Sequence, residues 1–154
     1  MNPLLPDAVR SAPTDASTVP AEVRTLIEGE TLRAFHAEPQ FASYLDIPAT
    51  GPVGTLDLAP GTHGYEELVA DGPVLEIVSF SSNMPDSVSG DFAAEIKVGY
   101  LHTAGRKIPV AQGRVFGYLF AALGQCRMSQ EVESLDRYRG PRFIRCEGLQ
   151  VAGA

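Results

Sequence analysis

The sequence predicts a mostly antiparallel β protein with two or three short helices, and three observations carry that reading. Phe92, Ala94, Ile96, Val98 and Tyr100 alternate with Ala93, Glu95, Lys97 and Gly99, and a period of two marks a half-buried strand. The other apolar runs are short and punctuated, with 15 glycines and 12 prolines in 154 residues, which suits frequent turns. The helix-like stretches span only one or two turns, so they read as insertions in a sheet protein.

Along the chain, residues 1–20 hold Pro3, Pro6, Pro13 and Pro20 with no apolar period, and read as an extended or loosely attached arm. Residues 21–154 read as a single β-rich domain. Residues 23–27 and 31–35 flank Glu28-Gly29-Glu30 as a hairpin. Residues 40–46 predict a helical turn before Pro48, and 55–58 a strand stopped at Pro60-Gly61. Residues 65–70 form a short helix with Glu66 and Glu67 in its first turn, where the helix dipole favours acids. Residues 73–80 are a continuous apolar run, read as a buried strand, and 81–90 a polar loop. After the alternating strand, 103–106 turn the chain back into a strand over 107–111. The apolar and aromatic stretch 114–123 reads as a short helix, and 127–133 and 142–151 as further strands.

Composition excludes several function classes. A net charge of −7 argues against a nucleic-acid backbone as partner, because phosphate binding needs a basic face. It argues equally against an anionic membrane surface. No apolar run approaches the roughly 18 residues needed to span a bilayer. The start of the chain lacks a basic, apolar leader, so a cytoplasmic protein is expected. Cys126 and Cys146 are too few for a disulfide framework and read as two reduced, partly buried thiols.

Six short motifs, in order, resemble the carboxy-terminal domain of the TldD/PmbA family, best known as a two-subunit metallopeptidase. They are Val19-Pro20 with Arg24-Thr25-Leu26-Ile27-Glu28-Gly29; Leu56-Asp57-Leu58-Ala59-Pro60-Gly61 with Glu66-Glu67-Leu68; Val88-Ser89-Gly90-Asp91-Phe92; Gly99-Tyr100-Leu101 with Gly105-Arg106-Lys107-Ile108-Pro109-Val110; Gly117-Tyr118-Leu119; and Pro141-Arg142-Phe143 with the closing Glu147-Gly148-Leu149-Gln150-Val151-Ala152-Gly153. The last is similar to the closing strand of the PmbA (TldE) branch. The resemblance implies stacked antiparallel sheets. It also implies a pairing habit in which one subunit carries zinc and its PmbA-type partner does not. The chain departs from the family in lacking its amino-terminal domain, the His-Glu-x-x-x-His helix and the opening strands of the carboxy-terminal domain. Tyr118 also replaces the usual Asn, and Gln125-Cys126 stands where Asn-Asp is frequent.

Zinc catalysis needs about three protein ligands with an open fourth position. The histidines are His36, His63 and His102, with no two at helical ligand spacing. No metal site and no cofactor is therefore expected. The hydroxyl-rich stretch from Ser79 to Asp91 lacks a Gly-x-Ser-x-Gly elbow, and its simplest role is a turn in which Gly90 takes a positive φ. Asp91, His102 and Tyr118 remain the candidate catalytic groups. Ser89, Gly90, Asp91, Glu95, Tyr100, Phe116 and Tyr118 are the candidate ligand or partner surface, with Glu95 paired to Lys97 on a solvated face. Phe116, Tyr118 and Phe120 suit either core packing or an interface.

Two functions follow as expectations. One is a truncated PmbA/TldE-like domain acting as a non-catalytic partner or substrate-binding subunit of a TldD-like metallopeptidase, or as a self-associating homo-oligomer. The other is a repurposed small enzyme, or a binder of a peptide or small molecule, with a pocket around residues 87–102.

Overall fold

In the computed structural model, residues 1–6, 8–14, 18–29 and 31–153 are described. The parts of the expected arm at 7 and 15–17, the turn residue Glu30 and the terminal Ala154 lie outside the described residues. The elements in order are β1 (Ile27–Glu28), β2 (Thr31–Leu32), α1 (Pro39–Leu45), β3 (Leu56–Asp57), α2 (Tyr65–Ala70), β4 (Val74–Pro85), β5 (Asp91–Thr103), β6 (Arg106–Val110), β7 (Arg114–Tyr118), α3 (Leu119–Gly124), β8 (Arg127–Met128), β9 (Val132–Leu135), β10 (Tyr138–Pro141), β11 (Ile144–Arg145) and β12 (Gln150–Ala152). The protein is mainly β, with several antiparallel sheets and three short helices. Contacts divide it into two compact units, Met1–Ala59 with Val132–Pro141, and Pro60–Glu131 with Arg142–Ala154.

In the first unit, β1 and β2 form the expected hairpin. The strand order is β3-β10-β9, with β10 antiparallel to β9 and parallel to β3. The arm is tied in: the amino terminus donates to the Arg24 carbonyl at 2.7 Å, Asn2 bridges Thr55, and Pro3 is buried. Helix α1 starts on Pro39, whose fixed φ suits a first helical position, and ends at Asp46 in the left-handed region (φ 53). Thr50 Oγ1 accepts from the Ala37 N–H at 3.0 Å and meets His36 Nδ1 at 2.8 Å.

In the second unit, β5 is the organising strand. Its first half pairs with β7, its second half with β6, and β4 runs along its other side throughout. Strand β12 closes the far edge against β7. The β5–β6 hairpin turns through Ala104 (φ 48) and Gly105 (φ 72), two successive positive φ values as a two-residue primed turn requires. Ala94, Ile96 and Val115 form the buried core of this sheet.

The alternation on β5 holds to Ile96 and then slips, so that Val98 is exposed and Gly99 buried. The register between β4 and β5 shifts three times, between Ile77 and Ser82. Each shift changes which face a residue presents, as an irregular residue in a ladder must.

Several element expectations are corrected. The strand expected to be buried at 73–80 runs along the sheet edge with Val78 and Phe80 exposed, and the strands expected at 127–133 and 142–151 break, the first between β8 and β9 and the second between β11 and β12. Residues 81–85 belong to β4 rather than to a loop, because Ser82, Asn83, Met84 and Pro85 pair with Glu95, Ala94, Ala93 and Phe92. Pairing overrides their weak strand preference, and Pro85 is tolerated because β4 is an edge strand. Residues 114–118 form strand β7, and only 119–124 are helical.

Candidate functional site

The register of β4, β5 and β6 assembles one polar cluster. Glu76 stands opposite Tyr100, Val74 opposite His102, His102 opposite Lys107, and Tyr100 opposite Pro109. Residues two apart on a strand share a face, so Glu76, Tyr100, His102 and Lys107 all project to the same side. Diagonal neighbours lie within reach of long side chains, and helix α2 adds Tyr65.

Glu76 Oε2 is the hub. It accepts from His102 Nε2 at 2.7 Å, Lys107 Nζ at 2.9 Å and Tyr65 Oη at 3.0 Å. The Lys107 ammonium lies 4.2 Å from the centre of the Tyr100 ring, a cation–π distance. Tyr65 also packs on Phe143 at 4.7 Å between ring centres.

Burial pushes the Glu76 carboxyl up, but hydrogen bonds from His102, Lys107 and Tyr65 outweigh it and hold the acid below its ordinary value. Burial, reinforced by the Glu76 charge, raises the Tyr65 phenol. The hydrogen bond that Lys107 donates to the Glu76 carboxylate raises the Lys107 ammonium. Near neutral pH the cluster therefore holds an ionised carboxylate, an ammonium and a neutral phenol. Its three donors converge on one oxygen and link α2 to three strands.

The expected site residues do not converge. Asp91 and His102 sit at opposite ends of β5, about 35 Å apart at ~3.3 Å per residue, so they share no acid–base chemistry. Of the expected residues, Tyr100 and His102 join the Glu76 cluster. Glu76, Tyr65 and Lys107 were not among the expected site residues, because Glu76 lies inside an apolar run, Tyr65 starts a short helix and Lys107 stands in a motif read only as a return strand. Ser89, Gly90, Asp91 and Tyr118 lie at the other end of the sheet, and Glu95 and Phe116 between the two.

There, Asp86 Oδ1 accepts from the Val88 and Ser89 N–H groups at 2.8 and 3.0 Å, and Ser89 Oγ accepts from the Asp91 N–H at 3.2 Å. Those backbone bonds hold the Asp86 carboxyl below its usual range. The loop is thus a self-bonded turn. Gly90 takes φ +81, and a β-carbon there would stand 2.5 Å from the Phe120 ring. The Gly90 carbonyl accepts from the Leu119 N–H at 2.7 Å. Tyr118 and Phe120 meet edge to face at 5.7 Å, and both are half exposed. We expect Gly90→Ala to lower stability by about 1–2 kcal/mol through the backbone conformation alone, because the exposed Phe120 ring can swing aside. Urea melts would check it, and an unchanged midpoint would show that φ at 90 relaxes freely.

Between these two ends, Glu95 pairs with Arg114 at 3.3 Å. This corrects the expected partner Lys97: adjacent strands place Arg114 opposite Glu95 in register. A groove of about 650 Å³ lies here, lined by Ser81, Glu95, Lys97, Gln112 and Arg114 among others. Phe116 lies half-buried on β7, opposite Ala93 and Gln150.

The histidines are separately partnered: His36 with Thr50, His63 with Glu67 at 3.6 Å and His102 with Glu76. Among the described residues no three His, Cys, Asp or Glu side chains are grouped to hold a metal ion. No described helix is long and apolar enough to cross a membrane.

A family profile described as the PmbA/TldA metallopeptidase C-terminal domain matches residues 1–153. The chain belongs to this family. A protein from Thermotoga maritima, provisionally named a modulator of DNA gyrase, superposes with a TM-score of 0.83 at 24% identity, over 97% of this chain and 37% of that one. A like-named protein from Bacteroides thetaiotaomicron gives 0.79 at 19% identity, over 99% and 35%. TldE from Thermococcus kodakarensis gives 0.82 at 19% identity, over 99% and 38%. The chain thus spans little more than a third of the length of these relatives, and at such identities the likeness establishes the fold. A search of the curated proteins gives no match. The family description names a metallopeptidase, but the described residues do not group a ligand set for a metal.

Proposed function

We propose that this chain is a non-catalytic domain of a TldD/PmbA-type assembly, and that strand β4 is its docking edge for a TldD-like metallopeptidase subunit. The observation that carries this reading is the edge itself. Strand β4 is twelve residues long and terminal in its sheet. It exposes Val78, Phe80 and, at 76%, Met84. An edge of that length with apolar side chains is a template for strand pairing. Family membership and the likeness to a TldE fold support the choice of partner.

The test is native mass spectrometry of this protein mixed with a TldD-like subunit from the same cells, using Phe80→Lys and Met84→Lys as edge variants. A stoichiometric complex, weakened about tenfold or more by each charge (about 1.4 kcal/mol per decade), is the expected result. A chain that ignores the subunit at micromolar concentration sinks the reading, and so do variants that bind as well as the parent.

A second reading is supported by the groove beside Glu95, Lys97 and Arg114, whose mixed charges suit a zwitterionic peptide or small molecule. Titrating short peptides while following β5 amide resonances would distinguish it, since edge pairing moves β4 and leaves the groove unfilled.

A further inference from the structure

Cys126 and Cys146 are both free and half-buried. Twenty residues separate them in sequence, but the β8–β11 ladder pairs Met128 with Ile144 and Arg127 with Arg145. The ladder ends at that pair, and its antiparallel register carried one step further would set Cys126 opposite Cys146. The type of pair follows from the hydrogen bonds. The Ser129 N–H donates to the Phe143 carbonyl at 2.9 Å, so 129 and 143 stand at a hydrogen-bonded position. Alternation then makes Met128–Ile144 a non-bonded pair, Arg127–Arg145 a bonded one and Cys126–Cys146 a non-bonded one. The Cys126 N–H agrees, because it turns away to the Leu123 carbonyl at the end of α3. Non-bonded pairs bring α-carbons to about 4.5 Å with side chains close together, at the short end of the roughly 4.4–6.8 Å that a disulfide spans. Burial, with Cys126 and Glu147 nearby, pushes the Cys146 thiol up, which also places the two sulfurs within electrostatic reach of each other.

The ladder around the pair is well anchored. Arg145 donates to the Leu68 and Asp71 carbonyls at 2.8 and 3.1 Å, and Arg127 pairs with Asp71 and Glu147 at 3.2 and 3.3 Å.

We propose that Cys126 and Cys146 form a redox-modification site that closes into a cross-strand disulfide by exchange with a small-molecule disulfide such as oxidised glutathione. One cysteine loses its proton to solvent, and its thiolate attacks the glutathione disulfide. The glutathione S–S bond breaks, one glutathione thiolate leaves and a mixed disulfide forms on the protein. The second cysteine, deprotonated in turn, attacks the protein sulfur of that mixed disulfide and expels the second glutathione. Two cysteine sulfurs are oxidised, two glutathione sulfurs are reduced, and two reduced glutathiones are released. The closed ring would enclose residues 127–145 of the chain.

The test equilibrates the intact protein in glutathione redox buffers, quenches with acid, caps free thiols with N-ethylmaleimide and reads intact mass and peptide map. The expected result is a monomer two hydrogens lighter, carrying no cap, with Cys126 and Cys146 peptides joined. Cys126→Ser and Cys146→Ser should each stop at a single glutathione adduct. The proposal is overturned if both cysteines stay fully capped even in excess oxidised glutathione. Two stable glutathione adducts on one chain, or disulfides only between chains, overturn it as well.

Discussion

Gly61→Ala should lower the stability of this protein by about 3 kcal/mol or more and its melting temperature by about 10 °C. A β-carbon at Gly61 would overlap the main-chain carbonyl of Met128 and stand 2.7 Å from its side-chain Cβ. The obstruction is backbone, and that backbone is held on both sides. The Gly61 N–H donates to the Ser129 carbonyl at 2.9 Å, and the Gln130 N–H to the His63 carbonyl at 2.9 Å. Met128 is itself paired with Ile144 in β8–β11. Relief would have to break one of these pairings, so the overlap cannot be absorbed by a rotamer change. Gly124→Ala is the matched control, since nothing stands within 4 Å of a β-carbon there and alanine is the better helix former. Thermal melts of the two variants decide the matter. Equal melting temperatures would mean that residues 61–63 are not packed on β8.

Glu76→Ala should cost about 2–3 kcal/mol near neutral pH, because it removes the acceptor for three donors and leaves the His102 Nε2 and the Tyr65 O–H without an acceptor. Glu76→Gln, which keeps an acceptor oxygen without the charge, should cost about half of that. The pH dependence has a definite sign. The folded carboxyl lies below its ordinary 4.5, so its contribution is fully present above that value and is lost as pH falls through the folded value. Lys107 is raised above 10.5 and Tyr65 above 10.0. Their contributions are present below those values and fade as pH rises through the folded ones. The parent protein should therefore lose stability on acidification more steeply than either variant. Urea midpoints at pH 7 and pH 4 measure it. An acid limb that is the same in all three proteins would show that the Glu76 cluster does not stabilise the fold.

Much of the second unit was legible in the chain. The Phe92–Tyr100 alternation located β5, the Thr103-Ala104-Gly105-Arg106 turn located its hairpin with β6, and the Glu66-Glu67 acids marked the start of α2. Ser89 and Gly90 were legible as a turn because Ser and Gly act on backbone within two or three residues, whereas Asp86, its main acceptor, emerged only with the structure. What failed was whatever depended on a partner. Ser82 to Pro85 carry no strand signature of their own and became strand because Phe92 to Glu95 supply the ladder. Glu95 found Arg114 rather than Lys97 because the neighbour across the sheet is closer than the neighbour along the strand. Asp91 and His102 looked like partners only while the strand between them was unmeasured.

By itself, then, the sequence determined the β class, the order of the motifs that mark a PmbA/TldD carboxy-terminal domain, the principal hairpin and the local chemistry of the 86–91 turn. All of these depend on residues near one another in the chain or on ordered composition. Only the tertiary structure decided the strand register, and with it the meeting of Tyr65, Glu76, Tyr100, His102 and Lys107, the groove beside Glu95 and the β8–β11 ladder. Register is a relation between distant segments. A one-residue slip turns every side chain to the other face, so no local pattern specifies which distant groups will share an oxygen.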